Sequence, residues 1–272
     1  MKIHFYKYQG AGNDFVVIDG RKENHLNIKQ LPATFIANLC DRRFGIGADG
    51  LMILLPHPDF NFEMLYYNSD GNRSSFCGNG GRCIAAFAHH LGLIGNETNF
   101  LAADGPHNAI VSATENSSEL HISLGMNDVN EIRYIGDDVF LNTGSPHYVK
   151  FVEDPDKADV FGEGRQIRNS DLFAPGGTNV NFVNVQNGII YIRTYERGVE
   201  DETLACGTGI TAAAIASFLK GNVIPGSARY QIKAKGGNLS VSFNYGENNS
   251  FSNIRLEGPA KLVFEGIINT PW

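Results

Sequence analysis

Apolar and polar residues alternate with a period of two over positions 2–8, 14–19, 51–55, 60–67, 119–124, 189–195, 229–233, 239–243 and 261–267, which predicts strands. Helical spacing covers 28–40 and the two stretches that follow Cys77 and Cys206. The Asn-rich piece 244–253 reads as a hairpin-type loop, and no low-complexity tract or charge block interrupts the pattern. Many strands joined by short turns, with few helices, predict a mixed α+β (α/β) fold with barrel-like sheets rather than a doubly wound parallel sheet.

A repeat organises these elements. YYNSDGNRSSFCGNGGRCIAAFAHHLG (66–92) and YERGVEDETLACGTGITAAAIASFLKG (195–221) align without a gap, 129 positions apart when Cys77 is set on Cys206. Both run strand, polar turn, Cys-Gly-x-Gly, alanine-bearing apolar helix and closing glycine. Downstream, ADGPHNAIVS and AKGGNLSVSF share a turn followed by a strand. Half of the chain thus matches the other half. The boundary is expected near Ser117, inside TENSSE, giving halves 1–117 (completed by a C-terminal strand at 262–272) and 118–261.

Composition narrows the class. At 272 residues the chain is long enough for two domains of roughly 130 each, and 42% apolar against 19% charged residues supports a buried core. A net charge of −7 argues against a nucleic-acid partner. The longest apolar run, near 210–219, is about half of a membrane span, and MKIHFYKYQG lacks an apolar signal core, so a cytoplasmic location is expected. Four cysteines in such a chain read as thiols in a reducing compartment.

Cys77-Gly78-Asn79-Gly80 and Cys206-Gly207-Thr208-Gly209 carry the candidate chemistry. Glycines at a helix start let a ligand approach backbone N–H groups that have no intrahelical acceptor, beside the positive end of the helix dipole. The same field brings a cysteine from about 8.5 towards the ~3.5–7.5 range. With the halves face to face, two helix starts would grip one carboxylate, with a sulfur on either side of the neighbouring carbon. That is the requirement of a two-base racemase or epimerase. Cys40 and Cys83 read as buried hydrophobes. The spacing of Cys77 and Cys83 gives no metal motif.

The chain resembles the diaminopimelate epimerases in GAGNDFVVID (10–19), RRFGIGADG (42–50), NSDGNRSSFCGNGGRC (68–83), TGSPHYV (143–149), GTNVNFV (177–183), YERGVEDETLACGTG (195–209) and GNLSVSF (237–243). The resemblance implies two pseudo-symmetric halves, each a β-barrel-like sheet around a central helix, with the active site in the cleft between them. It implies cofactor-independent conversion of LL-2,6-diaminoheptanedioate to the meso form, for lysine and peptidoglycan precursors, without pyridoxal phosphate or metal, by a homodimer that uses the strand around Phe264. Cys77 and Cys206 would be the acid/base pair. The amides of Gly78, Asn79, Gly207 and Thr208 would hold the reacting carboxylate. Asn13, Asn68, Ser145, Asn179, Glu196 and Arg197 would read the rest of the substrate, Arg197 as a fork on the distal carboxylate. His147 and Glu196 would bias the thiols. Three features depart from the family pattern: Ser145 stands where many members carry Asn, Gly50 where some carry Gln, and the link 199–205 is one residue longer.

On the residues alone, Asn13, Asn68 and Asn179 also suit turns, Arg197 also suits a surface pair with Glu200 or Asp201, and His147 also suits a structural loop. A proline-racemase-like enzyme and a redox-sensing or anion-binding protein without turnover stand as the alternative functions. An isomerase of the phenazine-pathway type fits less well, since it would not need both cysteines.

Overall fold

Parallel neighbours in a sheet cannot be joined by a tight hairpin, and this chain meets that constraint four times, each time with a helix. The computed structural model describes residues 2–22, 31–73, 76–115, 118–221 and 223–269. Two compact units emerge, Met1–Leu124 with Gly258–Trp272, and Gly125–Glu257.

In the first unit, strands β1 (Lys2–Gly10), β2 (Asn13–Asp19), β3 (Gly50–Leu55), β4 (Phe62–Asn68), β5 (Glu97–Ala102), β6 (Gly105–Ala113) and β7 (Glu119–Gly125) pair in chain order. The final strand of the chain, β16 (Phe251–Asn269), pairs through its 258–261 stretch with β7 and through 261–269 with β1, which closes an eight-stranded barrel. Helix α1 (Ala33–Cys40) fills the β2–β3 crossover, and α2 (Gly78–His90) fills β4–β5. The two helices cover opposite faces of the strands. Ile3, Phe5, Val16, Ile18, Leu51, Ile53 and Leu65 pack with Ile36 and Leu39 of α1. On the other face, Tyr6 and Tyr8 meet Phe87 of α2 at ring separations of 4.8 and 5.8 Å. Strand β3, buried at every position, is therefore a continuous apolar run. Helix α2 is buried from Gly78 to Ala88, as expected of a helix enclosed by strands.

The second unit repeats the plan. Strands β8 (Ile132–Ile135), β9 (Asp138–Asn142), β10 (Pro146–Phe151), β11 (Asn179–Gln186), β12 (Ile189–Glu196), β13 (Asp201–Thr203), β14 (Gly226–Ala234) and β15 (Gly237–Tyr245) join the 251–257 part of β16. The order is β16-β15-β14-β12-β11-β10-β9-β8, with β13 on β12 and a bridge from Val129 to Phe251. Helix α3 (Val160–Arg168) crosses from β10 to β11 and covers Tyr148, Phe182 and Tyr195. Helix α4 (Gly207–Lys220) crosses from β12 to β14 and is buried from Gly209 to Phe218. The fold is α+β with two pseudo-symmetric halves, each a barrel-like sheet around a buried helix.

The unit limits follow strand pairing: β7 lies between β6 and the 258–261 stretch, which keeps it with the first unit. The expected boundary residue Ser117 lies outside the described residues, as does the 28–30 start of the expected first helix. That helix begins at Ala33, after Pro32, because the residue before a proline is pushed out of the helical region. Among the described residues no helix is long and apolar enough to cross a membrane.

Candidate active site

Both cysteine motifs form helix N-termini with matching backbones. Cys77 is the N-cap of α2 at φ −114°, ψ 120°, and Cys206 the N-cap of α4 at φ −107°, ψ 113°. The Gly81 N–H donates to the Cys77 carbonyl at 2.7 Å, and the Ile210 N–H donates to the Cys206 carbonyl at 2.8 Å. The amides of Gly78, Asn79 and Gly80, and those of Gly207, Thr208 and Gly209, thus precede the first intrahelical bond and suit an anion. All four cysteines are thiols. Burial pushes Cys40 up to about 11 and Cys83 up to about 12, so both stay protonated.

In the first unit, Asn79 is held on both ends of its amide. Its Nδ2 donates to Asn13 Oδ1, and its Oδ1 accepts from Arg82 Nη2 at 2.9 Å. Asn13, opening β2, donates to Asp49 Oδ2 at 2.9 Å. Asp49 is in turn bound by Arg42 at 2.7 Å. Asn68 ends β4 with an exposed side chain, and its backbone closes a turn with Gly71 and Asn72. The structure thus links Asn13 and Asn79 to the Cys77 helix start and leaves Asn68 at a turn.

In the second unit, a chain of hydrogen bonds leads to Cys206. The Asn181 Nδ2 amide lies 3.2 Å from His147 Nδ1, and its Oδ1 accepts from Thr194 at 3.0 Å. With Nδ1 accepting, the proton of neutral His147 lies on Nε2, 2.8 Å from Thr208 Oγ1. The Thr208 hydroxyl is then free to donate to Cys206 Sγ, 3.4 Å away. Burial, reinforced by the Arg197 charge, pushes His147 down to about 3. His147 therefore reaches Cys206 as a neutral group acting through a hydroxyl. Gly209 is required here, because a Cβ would lie 2.5 Å from Asn181 Oδ1 and 3.3 Å from His147 Cε1.

The same unit assembles the polar readers. Asn179, only 2% exposed, donates to Ser145 Oγ and the Pro146 carbonyl, both at 2.9 Å. Its Oδ1 accepts the Arg197 backbone N–H at 2.8 Å. One asparagine thus fixes both Ser145 and Arg197. Arg197 Nη1 donates to the Gly176 carbonyl at 3.1 Å. Glu200 pairs with Arg168 at 2.9 Å instead, and among the described residues no carboxylate forms an ion pair with Arg197. Glu196 accepts from Thr203 at 2.9 Å.

Asn181 and Arg82 were not singled out by the sequence. The alternation of Asn179 and Asn181 along one strand face signals the first. An arginine inside the otherwise apolar run after Cys77 signals the second.

A profile described as diaminopimelate epimerase matches residues 5–126 and 139–263. The chain belongs to the diaminopimelate epimerase family. It is 52% identical over 267 residues to the diaminopimelate epimerase of Flavobacterium psychrophilum, covering 98% of this chain and 100% of that one. The enzyme of that name from Chlorobaculum tepidum is 42% identical over 264 residues, covering 95% and 98%. That from Aquifex aeolicus is 40% identical over 277 residues, covering 97% of each chain. Solved structures share the fold at low identity. A Bacillus anthracis phenazine biosynthesis protein of the PhzF family matches with a TM-score of 0.78 at 12% identity, covering 99% of this chain and 100% of that one. A probable proline racemase from Agrobacterium radiobacter matches at 0.68 and 16%, covering 99% and 93%.

Proposed function

We propose that this chain converts LL-2,6-diaminoheptanedioate to the meso isomer, with Cys77 and Cys206 as the two acid/base groups. The observation that carries the reading is the pair of cysteines capping equivalent buried helices with the same backbone geometry, within a chain of this family.

One sulfur, as thiolate, takes the α-proton and becomes a thiol. The electron pair left on the carbon delocalises into the α-carboxylate, whose added charge is met by the amides of Gly78, Asn79, Gly207 and Thr208. The other sulfur, as thiol, delivers a proton to the opposite face and becomes the thiolate. Protons balance, and the enzyme ends with its two protonation states exchanged. Arg197 takes the distal carboxylate as a bidentate fork, held in position by Asn179. Asn13, Asn68, Ser145 and Glu196 read the remaining polar groups, while His147 and Glu196 tune the sulfurs.

Arg197 also favours this substrate over proline, which has no second carboxylate to engage it. Val263, Phe264 and Ile267, at 51%, 47% and 62% exposure on β16, support a homodimer across that strand. Two reactive thiols suit the cytoplasm, where they stay reduced. No part of this reading calls for a nucleic acid or a membrane.

The test is turnover of LL-2,6-diaminoheptanedioate in deuterium oxide. One deuterium is expected at the inverted α-carbon, and Cys77→Ala or Cys206→Ala is expected to abolish inversion with the fold intact. Redox-dependent binding of a partner without inversion would favour the sensor reading instead.

A further inference from the structure

Among the described residues Arg82 is the largest fully buried side chain, 0% exposed, on the enclosed helix α2. Its guanidinium folds back along the helix, giving Nη2 to Asn79 Oδ1 at 2.9 Å and reaching the Pro259 carbonyl from Nε at 3.5 Å. Nη1 is buried without a hydrogen-bond partner, and among the described residues no carboxylate pairs with Arg82. An arginine stays charged in a protein, and a buried charge without a counter-charge is costly. Among the described residues, the ionisable groups that act on its charge are Cys83, its neighbour in the helix, and Cys77, the N-cap of the same helix towards which the guanidinium folds. Cys83 stays protonated, which leaves Cys77.

Among the described residues, the carboxylates on the strands around α2 are engaged elsewhere: on β16, whose Pro259 carbonyl Arg82 reaches, Glu257 pairs with Arg229 at 2.5 Å and Glu265 lies 3.5 Å from His4. On β1, burial keeps Tyr8 protonated and Lys7 is paired with Asp14 of β2 at 2.7 Å. Asp14 is also bound by Arg42, Asp19 of β2 pairs with Arg21, and β3 carries no ionisable side chain. On β6, His107 is bound to Asp104 at 2.8 Å.

The repeat sharpens the contrast. The residue 129 positions beyond Arg82 is Thr211, buried, whose hydroxyl donates to the Gly207 carbonyl at 3.0 Å. The second half therefore has a neutral group where the first has a cation. Around Cys206 stand Thr208 and neutral His147. Arg197, the cation whose charge acts on His147, is partly exposed and follows Glu196 in sequence.

We infer that Arg82 is a positioning residue that sets the resting charge state of the site, holding Cys77 as the thiolate while Cys206 remains the thiol. This rests on the two-thiol reading above. It assigns the direction of the first proton transfer: the isomer that presents its α-hydrogen to Cys77 reacts with the resting enzyme, and the other isomer needs the exchanged state.

The test is the pH dependence of iodoacetamide alkylation of the intact, unliganded protein, read separately at Cys77 and Cys206 by peptide mass spectrometry. In the unmodified protein the Cys77 midpoint is expected at least about one pH unit below that of Cys206. Arg82→Met is expected to slow Cys77 alkylation at pH 7 by about tenfold or more while leaving the Cys206 profile in place. Arg82→Lys, which keeps the charge, restores part of the loss. A lower midpoint at Cys206 in the unmodified protein overturns the inference without any variant, and so does an unmoved Cys77 profile in folded Arg82→Met. Assaying inversion of LL-2,6-diaminoheptanedioate alongside separates the two claims. Inversion without this ordering of midpoints defeats only the role of Arg82. The ordering without inversion defeats only the assigned reaction.

Discussion

Replacing Thr208 with valine removes one hydroxyl from the path between His147 and Cys206 and leaves the side-chain volume nearly unchanged. The hydroxyl oxygen lies 2.8 Å from His147 Nε2 and 3.4 Å from Cys206 Sγ. Two separable losses follow. Buried His147 Nε2–H loses its acceptor, which costs about 1–3 kcal/mol of stability. The Cys206 thiolate loses a donor. A hydrogen bond to a charged group contributes about 1.5–3 kcal/mol, and the long sulfur contact argues for the low end, near one pH unit. Thr208→Val is therefore expected to raise the Cys206 alkylation midpoint by about one unit and to slow the direction that uses Cys206 as base by about tenfold. The backbone amide of residue 208 stays in place, so KM should change less than kcat. The assay is alkylation of Cys206 in a Cys77→Ala background, with urea denaturation for stability and Thr208→Ser as the control that keeps the hydroxyl. A folded Thr208→Val protein with an unmoved Cys206 midpoint would refute the relay.

The pH behaviour of His147 gives a second expectation. Its folded value near 3 lies below the ordinary histidine value of 6.5. The unfolded chain thus binds the extra proton first, and the stabilising contribution present above pH 6.5 is lost as pH falls towards 3. Its imidazole NMR signals should not titrate between pH 8 and 5, and a midpoint near 6.5 would show that the ring is solvated. Arg197→Met is expected to raise KM for LL-2,6-diaminoheptanedioate by about 10–100-fold with a smaller effect on kcat, the loss of a bidentate charged contact; unchanged KM in steady-state assays would remove Arg197 from the substrate. Gly209→Ala should destabilise the fold by about 1–3 kcal/mol, because its Cβ would meet Asn181 Oδ1 at 2.5 Å. A denaturation midpoint equal to that of the unmodified protein would contradict that packing.

Local chemistry was readable in the chain wherever it is encoded locally. Cys-Gly-x-Gly before an apolar run predicted helices starting just after Cys77 and Cys206, as α2 and α4 do, and the repeat predicted two similar halves. Strand β7 was expected at 119–124 and runs Glu119–Gly125. Tertiary demands hid the rest. Strand β11 points Asn179 and Asn181 inward to serve Ser145, Arg197 and His147, so its alternation is not one of apolar residues. Glycines at 162 and 164 obscure α3, which Asp159 caps by accepting the Gly162 N–H at 2.9 Å. Gly258-Pro259 reads as a break, yet β16 runs through it, with Pro259 opposite His121. Arg82 stands out locally as an arginine in an apolar run, but the groups that enclose it come from strands distant in sequence.

The central claim is that two sulfurs serve opposite faces of one carbon, and solvent exchange by single-cysteine variants tests it most directly. Cys77→Ala and Cys206→Ala, each given the LL and meso isomers in deuterium oxide, should each wash out the α-hydrogen of one isomer without inverting it. The two variants should choose opposite isomers. Inversion at a near-normal rate by either variant, or exchange of the same isomer by both, would contradict the two-base account.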